Sequence, residues 1–287
     1  MSIKTIFKNE LVQEFFEDKM AAAGLFILVI LIILALFPSV FSYQNPYDLS
    51  QLYLENSFKA PGHEFWLGTD EQGRDIFSAM LYGLRISLYV GVASTVLSVI
   101  IGFSLGLISG YYGGWVDTLI MRIADIQLSF PAILIALIIM ALWGEGVGKI
   151  IIAITIVNWV YYARTARGVV LSEKQKDYAQ SAKALGMGDM GIIFGEIMPN
   201  VTAPIIVIAT VRIANAIILE ATLSFLGLGV PITQPSLGSL ISNGYQVLFS
   251  GYWWTSVYPG ILLMVLIISI NLIGDRLRDI MNPRLKR

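Results

Sequence analysis

The apolar positions of this chain gather into long runs, and run length decides what they are. A helix needs about 20 mostly apolar residues to cross about 30 Å of hydrocarbon, because its backbone polar groups must be satisfied within the segment. Met20 to Phe41 and Ile86 to Tyr112 carry no charge at all, and Ile120 to Trp143 holds only Arg122 and Asp125, both near one end. A shorter run, Ile150 to Ala163, extends at the interface through Gly148 and Lys149. Val201 to Leu219 contains Arg212, and Val257 to Ile273 closes the series. The pattern predicts an all-α membrane protein with about six spans; the short fourth run leaves five or seven open. Three lysines precede the first run, as in a signal peptide. The run is nevertheless too long for a signal core and no small-residue cleavage site follows, so it reads as an anchor.

Between the runs, Lys and Arg are distributed unevenly, and this orients the chain, since cytoplasmic loops retain positive charge. Lys4, Lys8 and Lys19 lie before the first span. Arg164, Arg167, Lys174, Lys176 and Lys183 follow the fourth, and Arg276, Arg278, Arg284, Lys286 and Arg287 follow the last. The connection from Glu220 to Tyr258 has none. Both termini are therefore expected in the cytoplasm. The expected layout is one membrane domain over 1–287, with outer loops at 42–85 and 220–256 and a cytoplasmic loop at 164–200. Within the first outer loop, Asp75 to Gly83 reads as a short amphipathic helix lying at the interface.

Composition agrees and narrows the chemistry. Hydrophobic residues make up 56% of the 287, charged ones 14%, against about 25% in ordinary soluble domains. No cysteine is present and His63 is the only histidine, so disulfides, cysteine-held metals and histidine-rich metal sites are excluded. No phosphate-binding loop occurs: Gly148-Lys149 is followed by Ile150, which lacks the hydroxyl that magnesium needs. Catalytic fingerprints are likewise missing, and the chain reads as non-enzymatic. Any uphill transport must draw on an ion gradient or on another chain.

Charges inside spans are costly and face the bundle interior. Arg122 and Asp125 are three apart, on one helix face and within reach of each other. Arg212 is the only deep charge. An ion-coupled carrier would show buried carboxylates in several spans, which this sequence does not. Asn158, Arg212, Asn215 and Glu220 are the polar candidates for a solute path. Gly102, Gly106 and Gly110 form two small-xxx-small steps, suited either to packing within this chain or to a second membrane subunit.

The cytoplasmic loop carries the sharpest pattern. Asp177-Tyr-Ala-Gln-Ser-Ala-Lys-Ala-Leu185-Gly186 reads as a short helix stopped by glycine. A second amphipathic stretch, Met190 to Met198, then leads to Pro199-Asn200. Such a hairpin can sit in a groove of another protein; a purely structural role is the competing reading.

This segment resembles the coupling loop of binding-protein-dependent ABC importer permeases, whose pattern is Glu-Ala-Ala, three residues, Gly, nine residues, Ile-x-Leu-Pro. Gly186 and Pro199 keep that spacing, Ala182 matches the second alanine and Met198 stands for leucine. Gln180 and Ser181 replace Glu-Ala, and Glu196 replaces isoleucine. Further stretches are similar to the dipeptide, oligopeptide and nickel permeases, nearest their C-type subunit: Leu67 to Asp75, Tyr82 to Ser87, Gly110 to Gly114, Leu223 to Gly229, Trp253-Trp254, Pro259-Gly260, Asn271 to Asp275, Leu277 to Asp279 and Asn282 to Arg284.

The resemblance implies a type I ABC importer permease fold in a bacterial inner membrane. It also implies a heteromeric machine: a second homologous permease, two ATPase subunits holding ATP and magnesium, and an external solute-binding protein. On that reading Tyr178, Ala179, Ala182, Leu185, Gly186 and Met187 contact an ATPase, and Pro199 sets the start of the fifth span. No cofactor is expected on this chain. Peptides are the expected solute and the lone histidine, His63, disfavours bare nickel, while a nickel or metal chelate is the alternative within the same family.

Overall fold

In the computed structural model, residues 13–46, 48, 53–231 and 234–281 are described. The longer helices are α1 (Lys19–Leu36), α2 (Ile76–Tyr112), α3 (Gly114–Leu128), α4 (Ala132–Trp143), α5 (Val147–Glu173), α6 (Asp177–Ala184), α7 (Met198–Phe225), α8 (Leu237–Gln246) and α9 (Trp254–Ile280). Among the described residues there is no strand, only an isolated bridge between Thr69 and Asp75. Among the described residues, five helical segments are long and apolar enough to cross a membrane: α1, α2, α5, Asp189–Phe225 and α9. The pair α3 and α4, bent by 88°, makes a sixth if counted as one span.

Helix contacts fix the relative directions. Gly102, Gly106 and Gly110 of α2 lie against Trp159 to Tyr162, Ala163 to Ala166, and Arg167 to Val170 of α5, so these two helices run parallel. A Cβ on Gly102 would lie 2.2 Å from the Trp159 carbonyl oxygen, and one on Gly106 would lie 2.5 Å from that of Ala163. The glycine series therefore serves packing within this chain, because only glycine lets these backbones approach so closely. Since α2 and α5 run the same way, the bent α3–α4 pair between them has to cross back. It is a broken span rather than a re-entrant loop.

α7 runs antiparallel to α2, with Ile217 against Gly91 and Glu220 against Ser87. α9 runs antiparallel to α7 and α1, through Gly274 on Val211 and Leu272 on Gly24. The start of α1, the ends of α2, α5 and α9, and the segment 174–198 thus share one side, which holds most of the described Lys and Arg.

Three expectations need correction. The segment 75–83 is not a separate interfacial helix but the beginning of α2, which at 37 residues is about 55 Å long. Ile76, Ala79 and Leu84 are buried there in clusters that include Leu240 and Leu237 of α8, and a Cβ on Gly83 would lie 3.2 Å from the Leu237 nitrogen. The fourth span runs to Glu173 rather than Ala163, because Arg164 and Arg167 are neutralised by Asp125 and Asp117 of α3. Asp125 accordingly pairs with Arg164 and not with Arg122, which is exposed.

On the side opposite the basic one, residues 53–75 form an ordered cap. Arg74 pairs with Asp70 at 2.6 Å, Asp70 also accepts from the Gln72 and Arg74 amides, and Trp254 Nε1 donates to the Thr69 carbonyl. Phe58 stacks on Tyr252 with ring centroids 4.0 Å apart. The motif Leu67 to Asp75 is therefore a folded clasp that seats the cap on α8 and α9.

Candidate functional site

The segment joining α5 to α7 is built from its small residues outward. α6 turns Ala179 and Ala182, three apart on one face, into the chain's own core, and leaves Gln180, Ser181, Lys183 and Leu185 outside. Two backbone bonds then stop the helix: Gly186 N–H to the Lys183 carbonyl and Met187 N–H to the Ala182 carbonyl, each 3.0 Å. This double closure needs the left-handed backbone that Gly186 adopts at φ +81°. The tip is open, with Leu185 87% exposed.

The chain returns through Asp189–Gly191 and a π turn, Ile192–Ile197, that runs directly into α7. Ile192, Ile193 and Ile197 are buried; Met190 and Phe194 are exposed. Met198 N–H bonds to the Ile193 carbonyl, five residues back, so the helix changes register just where Pro199 removes a donor. Pro199 thus sits within a helix continuous from Asp189 and does not begin a new one.

Polar clasps tie this hairpin to the bundle. The Tyr178 hydroxyl donates to Glu173 Oε2 at 2.6 Å and accepts from Asn200 Nδ2 at 3.2 Å, joining the end of α5 to the first turn of α7. Burial foremost, and then the Glu173 carboxylate, pushes the Tyr178 hydroxyl up to about 12, so it remains a donor at neutral pH. Lys176 Nζ holds the other Glu173 oxygen at 2.7 Å. Tyr111 donates to Asp189 at 2.7 Å, and Lys174 Nζ donates to the Gly110 carbonyl at 2.8 Å, capping the end of α2. The hairpin is thus joined by side-chain hydrogen bonds to the ends of α2 and α5 and to the start of α7.

Of the residues singled out in the sequence, Leu185, Gly186 and Met187 lie at the open tip, whereas Tyr178, Ala179 and Ala182 face the bundle. Tyr111 and Asp189 escaped sequence reasoning because they are 78 residues apart, and Asn200 meets Tyr178 from 22 residues away; Glu173 has near partners, Lys176 and Tyr178, but precedes the patterned segment. The polar path candidates occupy different surroundings. Asn158 is buried in α5, and Arg212 lies over the Tyr161 ring, 3.5 Å from its centroid. Asn215 is exposed. Glu220 is wholly buried, accepting from Ser87 Oγ at 2.8 Å and Ser224 Oγ at 2.7 Å, and Leu237 N–H donates to the same Ser87. It fastens α2, α7 and α8 and does not line an open path in this chain. Among the described residues, no group of three or more His, Asp or Glu could hold a metal.

The family described as binding-protein-dependent transport system inner membrane component matches residues 102–287, which include the whole hairpin. The chain belongs to this family. Residues 9–61 match a second description, the N-terminal transmembrane domain of oligopeptide transport permease C. This permease is similar to the dipeptide transport system permease protein DppC of Alkalihalophilus pseudofirmus, at 41% identity over 94% of this chain and 88% of the relative. It is also similar to the oligopeptide transport system permease protein OppC of Bacillus subtilis, at 40% over 95% and 88%. The glutathione transport system permease protein GsiD of Pectobacterium atrosepticum is 38% identical over 92% and 87%. Inward-facing structures of the MetNI methionine ABC transporter contain a chain that superposes with a TM-score of 0.58 at 20% identity, covering 71% of this chain and 97% of that one. The fold is that of a type I ABC importer permease, and the protein is a multi-pass inner-membrane permease subunit.

Proposed function

We propose that this permease forms half of the transmembrane path for di- or oligopeptides in an ATP-driven importer, with its termini and the 177–200 hairpin in the cytoplasm. A second, homologous permease supplies the other half. Two ATPase subunits, which hold the ATP and magnesium, dock on the hairpin tip, and an external binding protein delivers peptide to the opposite face. The observation that carries this reading is mechanical. The exposed Leu185–Met187 tip is tied by Tyr178, Lys174 and Tyr111 to three spanning helices, so ATPase closure moves them as a unit. Peptides are the solute class because relatives of about 40% identity over most of the chain are named for dipeptide and oligopeptide transport.

Alternating access follows from that linkage. ATP-driven closure draws the hairpins of the two permeases together and opens the path outward; hydrolysis resets it inward. The contact falls on Leu185, Gly186 and Met187, while Tyr178, Ala179, Ala182 and Pro199 position the hairpin from behind.

Mild-detergent purification from the native membrane, with mass spectrometry of what stays bound, tests the assembly. A second permease and one or two ATPases in stoichiometric amount are expected. A chain that purifies alone, yet still catalyses uptake in liposomes, overturns the reading in favour of a gradient-driven carrier.

A further inference from the structure

The third span is interrupted where a membrane helix should be continuous. α3 ends at Leu128 and α4 begins at Ala132, with an 88° bend between them, and Ser129, Phe130 and Pro131 lie outside regular helix. The break is level with the middle of the bundle. Gln127, just before it, donates through Nε2 to the carbonyls of Ile156 at 2.8 Å and Val157 at 2.9 Å, and accepts from Trp159 Nε1 at 2.9 Å. Ile156 and Val157 are the centre of the apolar run of α5. One side of the break is thus fixed by three hydrogen bonds, and this makes it a built feature of the fold.

The other side is open. Ser129, Phe130 and Pro131 are exposed, Phe130 by 60%, and the carbonyl oxygens of Ser129 and Phe130 receive no hydrogen bond among the described residues. Bare carbonyls at this depth are not tolerated against lipid; irregular backbone persists in a membrane only where protein covers it or where it lines a water-filled cavity. Arg122 chooses between the two. Seven residues before Ser129, it lies on the same face of α3, is exposed, and has no ion-pair partner among the described residues. An unpaired cation on the helix face that carries the open acceptors is stable where water reaches that face, which favours a water-filled cavity over lipid or an apolar protein cover.

We infer that the Ser129–Phe130 break and Arg122 line the solute path of this half of the importer. The two open carbonyls meet the N–H and ammonium groups of a passing peptide, Arg122 meets its carboxylate, and the Phe130 ring narrows the path. This rests on the peptide-import function proposed above and extends it to named contacts.

The absence of cysteine from this chain makes the test direct. Phe130→Cys, and separately Ser129→Cys, are made in the complete importer. Each is exposed to a charged, water-soluble thiosulfonate, with modification read as added mass on this chain. Ala136→Cys, buried in α4, is the unreactive control. The inference expects both cysteines at the break to react at least tenfold faster than the control, with a several-fold slowing during ATP-driven transport of a dipeptide. Reaction only with a membrane-soluble maleimide places the break against lipid, and no reaction with either reagent places it under the second permease. Reaction without slowing by peptide removes the solute contact. Each of these three results overturns the inference. ATP-dependent dipeptide uptake by the unmodified importer is measured alongside: if it is absent, the functional reading fails, and if it is present while the labelling fails, only this inference does.

Discussion

The Tyr178 hydroxyl donates to the Glu173 carboxylate across 2.6 Å, and the same oxygen takes a hydrogen bond from Asn200 at 3.2 Å. One phenol thereby links the last turn of α5, the hairpin helix and the first turn of α7. Tyr178→Phe removes this link and little else, because Lys176 still holds Glu173. A hydrogen bond to a charged group is worth about 1.5 kcal/mol or more, roughly tenfold in an equilibrium. The expected outcome is normal assembly and ATP hydrolysis with peptide transported per ATP reduced several-fold. Unchanged coupling in parallel hydrolysis and uptake assays would count against the clasp.

Gly186 offers a graded test, because a Cβ there would touch nothing within 4 Å while φ is +81°. The penalty is therefore conformational, about 1–2 kcal/mol for an ordinary L-residue in this region. Peptide uptake should fall in the order Asn, Ala, Val at this position, since asparagine tolerates the left-handed backbone and a β-branched residue does not. Membrane insertion should be unchanged in all three. Equal uptake in all three variants would show that the double closure of α6 is dispensable.

Gly106 predicts a different failure. A side chain there must displace the Ala163 carbonyl at 2.5 Å and the Ala166 Cβ at 2.6 Å. Gly106→Leu should part α2 from α5, costing about 1–3 kcal/mol or more by overpacking. The readouts are a reduced amount of intact protein in the membrane and a lower melting temperature in detergent. Wild-type amounts and melting would mean that the seam is looser than described.

Glu220 fastens α8 to α2 and α7 through Ser87 and Ser224, and its removal should loosen α8. Glu220→Ala strips the acceptors used by Ser87 and Ser224, at about 1–3 kcal/mol for the hydroxyls left unpaired. Chymotrypsin should then cut faster around the exposed Tyr245, Phe249 and Trp253, with Glu220→Gln affected much less. Identical cleavage of all three proteins would contradict the assignment.

Much of this fold was legible in the chain. Uncharged runs marked α1 and most of α2, the start of α1 and the end of α9 share the side rich in Lys and Arg, and Gly186 stopped α6 as expected. What escaped depends on partners remote in sequence. In the sequence Arg164 and Arg167 end the fourth apolar run, yet Asp125 and Asp117, 39 and 50 residues away, neutralise them and the helix continues. Ser87 reaches Glu220 from 133 residues away, so a carboxylate that read as a path candidate is a buried fastening. The run from Ile120 to Trp143 carries no charge around its bend, so hydropathy reads it as one continuous span, although Gln127, Ser129 and Pro131 cluster at the break. At the hairpin, periodicity identified the helix but not its sidedness: Ala179 and Ala182 face inward because they are small enough to pack there, and Leu185 is left exposed at the tip.

The central claim is that this permease serves ATP-driven import of peptides, and uptake of a labelled dipeptide by the purified importer in liposomes tests it most directly. Uptake should require ATP hydrolysis and the external binding protein, and should persist when proton and sodium gradients are collapsed. Uptake that proceeds without ATP and stops when those gradients are collapsed would contradict it.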